Sequence, residues 1–215
     1  MRKIGHYILV LMMSYLTVVT GYASVPVVDE QVLEKILSTS VKKDFIRSEF
    51  IQKKSLASMN RVYTSTGSLV FDSHMGVLWR MQTPIKADMI ISSHKVVQRT
   101  QNTISTIDVE KSPYGAVSSI FLQLMNNDIR SLHINFNITN AKFDSKTGGW
   151  SMTLQPKNTK MASLISSIDL QGKNDVEQIN IVESSHNLTN IQFMKTTDTP
   201  RKLTLDENEL FSLAK

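Results

Sequence analysis

The chain has 215 residues, no cysteine, and 24 Lys and Arg against 19 Asp and Glu, for a net charge of +5. So mild a basic excess does not argue for nucleic acid. Without cysteine neither a disulfide framework nor lipid attachment at an N-terminal cysteine is open to the protein, so its stability has to come from a hydrophobic core. Its scattered charges read as a solvated face, with at most a weak attraction to anionic lipid or an acidic partner.

At the N-terminus, Arg2 and Lys3 precede an apolar run from Ile8 to Val19 and a small-residue exit at Gly21-Tyr22-Ala23. This is the three-part pattern of a secretory signal peptide, cut after Ala23. Ser14, Tyr15 and Thr17 interrupt the run, which is shorter than the ~20 apolar residues of a spanning helix. The expectation is an exported protein with a signal peptide at 1–23 and one domain at 24–215. No internal repeat, low-complexity segment or Pro- or Gly-rich linker divides that domain.

From Asp29 to Ser40 the residues Val32, Leu33, Ile36 and Leu37 share a helical face, with Asp29 and Glu30 where a helix N-terminus favours acids. Period-two segments follow: Leu69 and Phe71 against Ser68 and Asp72, then Val77, Trp79 and Met81 against Arg80 and Gln82. Each predicts a strand with one apolar and one wet face. After Pro113, Val117, Ile120, Phe121, Leu124 and Met125 have the spacing of a helix with one apolar stripe. Strand rhythm returns with Leu132, Ile134, Phe136 and Ile138, and again with Trp150, Met152 and Leu154. Met161 to Leu170 reads as a short turn and then a strand, and Ile179 and Ile181 form another strand. The fold class is mainly β with a few helices, its sheet long and mostly antiparallel. Such a sheet must curl on itself or be covered by the helices, because its apolar face cannot be left in water.

Catalytic chemistry finds no purchase in this pattern. His74, His94, His133 and His186 are far apart and in no H-E-x-x-H or similar spacing, so no zinc site is expected. There is no G-x-S-x-G elbow, no S-x-x-K with its partner motifs and no phosphate-cradling glycine loop. The reading is a protein that is not an enzyme and has no cofactor.

Phe50-Ile51-Gln52, Gly67-Ser68-Leu69-Val70-Phe71, Trp79 and Pro84 stand in the order of an F-x-Q, G-x-L, tryptophan-strand and proline-turn pattern. Leu154-Gln155-Pro156-Lys157 follows as L-x-P-K, and Asn187, Thr189, Ile191 and Phe193 as N-x-T-x-I-x-F, before a closing aromatic at Phe211. In this the chain resembles the LolA-type periplasmic lipoprotein carriers over nearly all of residues 24–215. The resemblance implies a half-open, incomplete antiparallel β-barrel with a helical lid. It also implies a periplasmic location and the transfer of lipoprotein acyl chains, or another lipid, from an inner-membrane transporter to an outer-membrane acceptor. The partners are then lipids and membrane proteins, with no nucleic acid, and the carrier is a monomer.

The candidate cavity residues are Phe50, Leu69, Phe71, Val77, Trp79, Met81 and Met89 from the first half of the chain. Ile91, Phe121, Met125, Phe136, Met152, Ile191 and Phe193 complete the set. Eight of the eleven methionines lie beyond residue 23, and flexible thioethers adapt to ligands of variable shape. Departures from the family pattern are Ser73 and His74 in place of an arginine-proline pair, Ser93-His94-Lys95 in place of an acidic-glycine-lysine turn, and a stretch from Val96 to Ile107 without tyrosine. They leave open an accessory protein of a glycolipid, fatty-acyl or pigment exporter, and a periplasmic lipid-sensing regulator.

Overall fold

The computed structural model describes residues 28–109, 115–194 and 202–215, with only the backbone described for 115–119. The signal peptide expected at 1–23 lies outside the described residues, as do Pro113 and the side chain of Val117.

A helix, α1 (Glu30–Thr39), opens the described chain, with Asp29 as its N-cap accepting from the Gln31 amide. Six strands follow: β1 (Phe45–Leu56), β2 (Arg61–Asp72), β3 (Gly76–Thr83), β4 (Ala87–Ile91), β5 (Lys95–Arg99) and β6 (Ile104–Asp108). Helix α2 (Gly115–Met125) and a 3₁₀ turn (Ile129–Ile134) lead into β7 (Phe136–Phe143) and β8 (Trp150–Pro156). A short helix, α3 (Thr159–Ala162), precedes β9 (Ile165–Gly172), β10 (Val176–Glu183) and β11 (Leu188–Phe193), and α4 (Leu205–Ser212) comes last. The strands form one antiparallel sheet of eleven in the order β6-β5-β4-β3-β2-β1-β11-β10-β9-β8-β7. Its end strands β6 and β7 are not neighbours. No helix among the described residues is long and apolar enough to cross a membrane.

The alternation read in β3 and β8 places the side chains as expected. Val77 and Trp79 enter the large core, with Trp150, Met152 and Leu154, while Leu78 faces the other way. The expected Asp29–Ser40 helix, the helix after Pro113 and the short turn before β9 are all present. Two expectations fail. Leu132 and Ile134 are not in a strand: Ile129 and Leu132, three apart on the 3₁₀ turn, are buried together, and pairing starts only with Phe136 opposite Pro156. Nor is the outer face of β2 to β5 wet. Val70, Leu78, Ile90 and Val97 form a second core there with Phe45, closed by Leu210, Phe211 and Ala214 at the C-terminus.

Strands β4, β5 and β6 are not read in the sequence analysis, and α4 is the helix that it misses. Its hydrophobic stripe is short, and the available signal was the capping box Thr204-Leu205-Asp206-Glu207, in which Thr204 and Glu207 each accept the other's backbone N–H. Arg47 of β1 fastens it, donating to Glu207 Oε1 at 2.5 Å and Oε2 at 2.7 Å and to the Lys202 carbonyl at 2.9 Å. The Arg47 guanidinium, with the Thr204 amide and hydroxyl, holds the Glu207 carboxyl below the ordinary glutamate range. A depressed folded-state pKa stabilises fully above the unfolded value of about 4.3, and that stability is lost as pH falls through the lower folded value. Glu207→Gln should therefore cost about 2 kcal/mol at neutral pH. The gap between variant and wild type in urea midpoints should shrink as the pH drops below about 4; a gap independent of pH would mean that the ion pair does not hold α4.

Candidate ligand cavity

An apolar cavity of about 380 Å³ lies on the face of the sheet that α2 covers. Met89, Ile91 and Val96 line it from β4 and β5, Ile168, Ile179 and Ile181 from β9 and β10, and Ile120, Phe121 and Leu124 from α2. In the strand order β4 and β9 are six places apart, about 29 Å on a flat sheet. Both flanks reach one cavity only because the sheet curls around α2. Alternating apolar side chains thus face inward from both flanks, and the stripe of α2 fills part of the space between them.

The wall is built around Trp79. Phe50 stacks on it at 3.7 Å between ring centroids, and Phe121 of α2 meets it edge-on at 5.4 Å. On its β2 side Phe50 pairs with Gly67, which has no side chain, so its ring can lie over β2 to reach Trp79. A Cβ on Gly67 would stand 2.0 Å from the Arg80 carbonyl oxygen and 2.8 Å from the Phe50 ring. The same device recurs on the far flank, where Trp150 pairs with Gly172 and its Nε1–H donates to the Lys173 carbonyl at 2.6 Å.

Polar groups in the lining are few: Gln52 and Lys54 of β1 and Thr189 of β11, all toward one end of their strands. Lys54 donates to Glu183 at 2.7 Å, and Asn187 to the same carboxylate at 2.9 Å. Burial opposes ionisation of Glu183, but these hydrogen bonds outweigh it and hold the carboxyl below its ordinary value. The lysine therefore faces the cavity with its charge already matched. At the other end α2 is tied down by buried Asn127, whose Nδ2 donates to the carbonyls of Val41 at 3.1 Å and Asn174 at 2.9 Å. Asn127 sits at φ +54°, in the left-handed region that asparagine tolerates after a helix end.

All fourteen sequence-derived candidates belong to the core cluster on this face, and five line the cavity: Trp79, Met89, Ile91, Phe121 and Ile191. Phe50, Phe71, Val77, Phe136 and Met152 are buried behind the lining, as filled core, and Met81 packs against the same cluster. Leu69, Met125 and Phe193 instead border a small void of about 20 Å³ beside Asn127. The candidate set omits Val96, Ile107, Ile165 and Ile168, the neighbouring Ile120, Leu124, Ile179 and Ile181, and the polar Gln52, Lys54 and Thr189. For the three polar residues, parity was the available signal: Gln52 and Lys54 share a face of β1 with Phe50, and Thr189 shares a face of β11 with Ile191. Among the described residues no group of three or more His, Asp or Glu side chains is placed to hold a metal ion.

Residues 42–207 match the protein family described as outer membrane lipoprotein carrier protein LolA. Comparison with curated protein sequences finds no match. Among solved structures, a LolA superfamily protein of Nitrosomonas europaea is 8% identical with a TM-score of 0.48, covering 86% of this chain and 97% of that one. The lipoprotein LppX of Mycobacterium tuberculosis is 9% identical with a TM-score of 0.46, over 83% of this chain and 100% of that one.

Proposed function

We propose that this chain, which belongs to the outer membrane lipoprotein carrier protein LolA family, is a periplasmic carrier that shields acyl chains of a lipoprotein or another lipid in its apolar cavity. The observation that carries this reading is the composition of the cavity, lined on three sides by aliphatic and aromatic side chains with only Gln52, Lys54 and Thr189 as polar exceptions. The incomplete barrel is the curled sheet, and its lid is α2.

The mechanism is physical. Each methylene withdrawn from water contributes about 0.8 kcal/mol, so one chain of about 15 methylenes gains about 12 kcal/mol on burial. Cargo held by such a term is not released into water. It passes from an inner-membrane donor to the cavity, and from the cavity to an outer-membrane acceptor, between sites of nearly equal burial whose small affinity differences set the direction. Trp79, Met89, Ile91, Phe121 and Ile191 touch the chain in this scheme, and the residues behind them hold the wall in place.

Mass spectrometry of protein recovered from cells identifies the cargo directly. Met89→Glu places a carboxylate at a half-buried point of the lining, where it stays hydrated only if the chain leaves. Folded Met89→Glu protein should carry at least about tenfold less lipid than wild type, from a penalty above about 1.4 kcal/mol. Undiminished lipid on a folded variant would place the cargo elsewhere, and an absence of lipid from wild type would remove the reading.

A further inference from the structure

The antiparallel order gathers the turns after β1, β3, β5, β8 and β10 at one end of the sheet, and those after β2, β4, β7 and β9 at the other. The two ends differ in charge. At the second, Asp144 and Asp175 balance Lys146 and Lys173 within the turns. At the first, the turns hold Lys86, Lys157 and Lys160 and no acid, with Lys53 and Arg61 exposed on the adjoining strand ends. Glu183, beside the last of these turns, is already taken by Lys54.

This basic rim also presents apolar side chains to water. Ile85 is 69% exposed at the tip of the β3–β4 turn, and Met59 lies open in the β1–β2 turn. Val62, 63% exposed, and Leu188 flank Ser55 across the register of β2, β1 and β11, and Tyr63 stands beside Lys54. Large apolar residues at turn tips, an amphipathic tyrosine and unopposed cations are the combination that enters the headgroup layer of an anionic bilayer. The polar part of the cavity lining, Gln52, Lys54 and Thr189, points to the same end.

We infer that this rim is a docking surface for an anionic lipid bilayer, engaged reversibly through Lys53, Arg61, Lys86 and Lys160 and seated by Val62 and Ile85. The inference stands on charge and exposure and does not depend on what the cavity carries. Binding of the form recovered from cells is measured to vesicles of phosphatidylcholine mixed with phosphatidylglycerol and to vesicles of phosphatidylcholine alone. The mixed vesicles should bind it, and added salt should release it. The joint variant Lys53→Gln, Arg61→Gln, Lys86→Gln, Lys160→Gln should bind at least about tenfold more weakly. Val62→Ser with Ile85→Ser should weaken binding at unchanged charge. Lys146→Gln with Lys173→Gln, at the opposite end, should leave it as in wild type. All of these side chains lie at the surface, and circular dichroism checks that each variant is folded. A rim variant that keeps its bound lipid while losing vesicle binding separates docking from carriage. Equal binding to both vesicles, no binding at low salt, or a charge variant that binds like wild type overturns the inference, as does a rim that captures a protein partner and no vesicle.

Discussion

Val77→Glu is expected to leave no folded protein. Val77 is fully buried on β3, between Phe71 of β2 and Ile91 of β4, and behind the cavity, not in its lining. A carboxyl group there has neither water nor a hydrogen-bonding partner. It stays protonated or forces the core open, at a cost of several kcal/mol against a total stability of about 5–15 kcal/mol. Thermal unfolding and bound lipid are read on one preparation beside Met89→Glu, whose carboxylate faces the cavity. Val77→Glu should lose its cooperative transition, and Met89→Glu should keep it. A folded, lipid-free Val77→Glu protein would instead mean that the cavity reaches past Ile91 to Val77.

Gly67→Ala is expected to destabilise by about 3 kcal/mol, at the upper end of ordinary overpacking. Its new Cβ meets the Arg80 carbonyl, which is backbone and cannot swing aside, at 2.0 Å, so β2 and β3 must part or the strand must shift. The Phe50 ring is displaced at the same time, and with it the stack on Trp79. The near-ultraviolet circular dichroism of the tryptophans should therefore change together with the urea midpoint. Gly148→Ala is the comparison: nothing lies within 4 Å of its Cβ, and its cost is the backbone conformation alone, φ +71°, about 1 kcal/mol. Equal losses at the two sites would mean that the close approach at Gly67 is not what the G-x-L strand requires glycine for.

Where periodicity was strong and local, the chain by itself determined the outcome. Val77 and Trp79 had to share a face because strand side chains alternate, and Ile120, Phe121, Leu124 and Met125 had to share one because they fall at helical spacing. The apolar character of that face, its cover by a helix and the antiparallel sheet were legible for the same reason. Tertiary structure alone decided what depends on partners far along the chain. Leu132 and Ile134 alternate like a strand but lie in a 3₁₀ turn, because Ile129 and Leu132 find their burial three residues apart. Val70, Leu78 and Ile90 look like the second faces of half-buried strands until α4, over a hundred residues later, covers them. Which of the inward residues line a cavity and which fill a core was set by the curl of the sheet. Curling brings β4 and β5 opposite β9 and β10 around α2, leaving space beside Met89 and Ile181 and none beside Val77. Alternation fixes the face of a side chain; only the distance to the opposite wall fixes whether that face meets protein or a ligand.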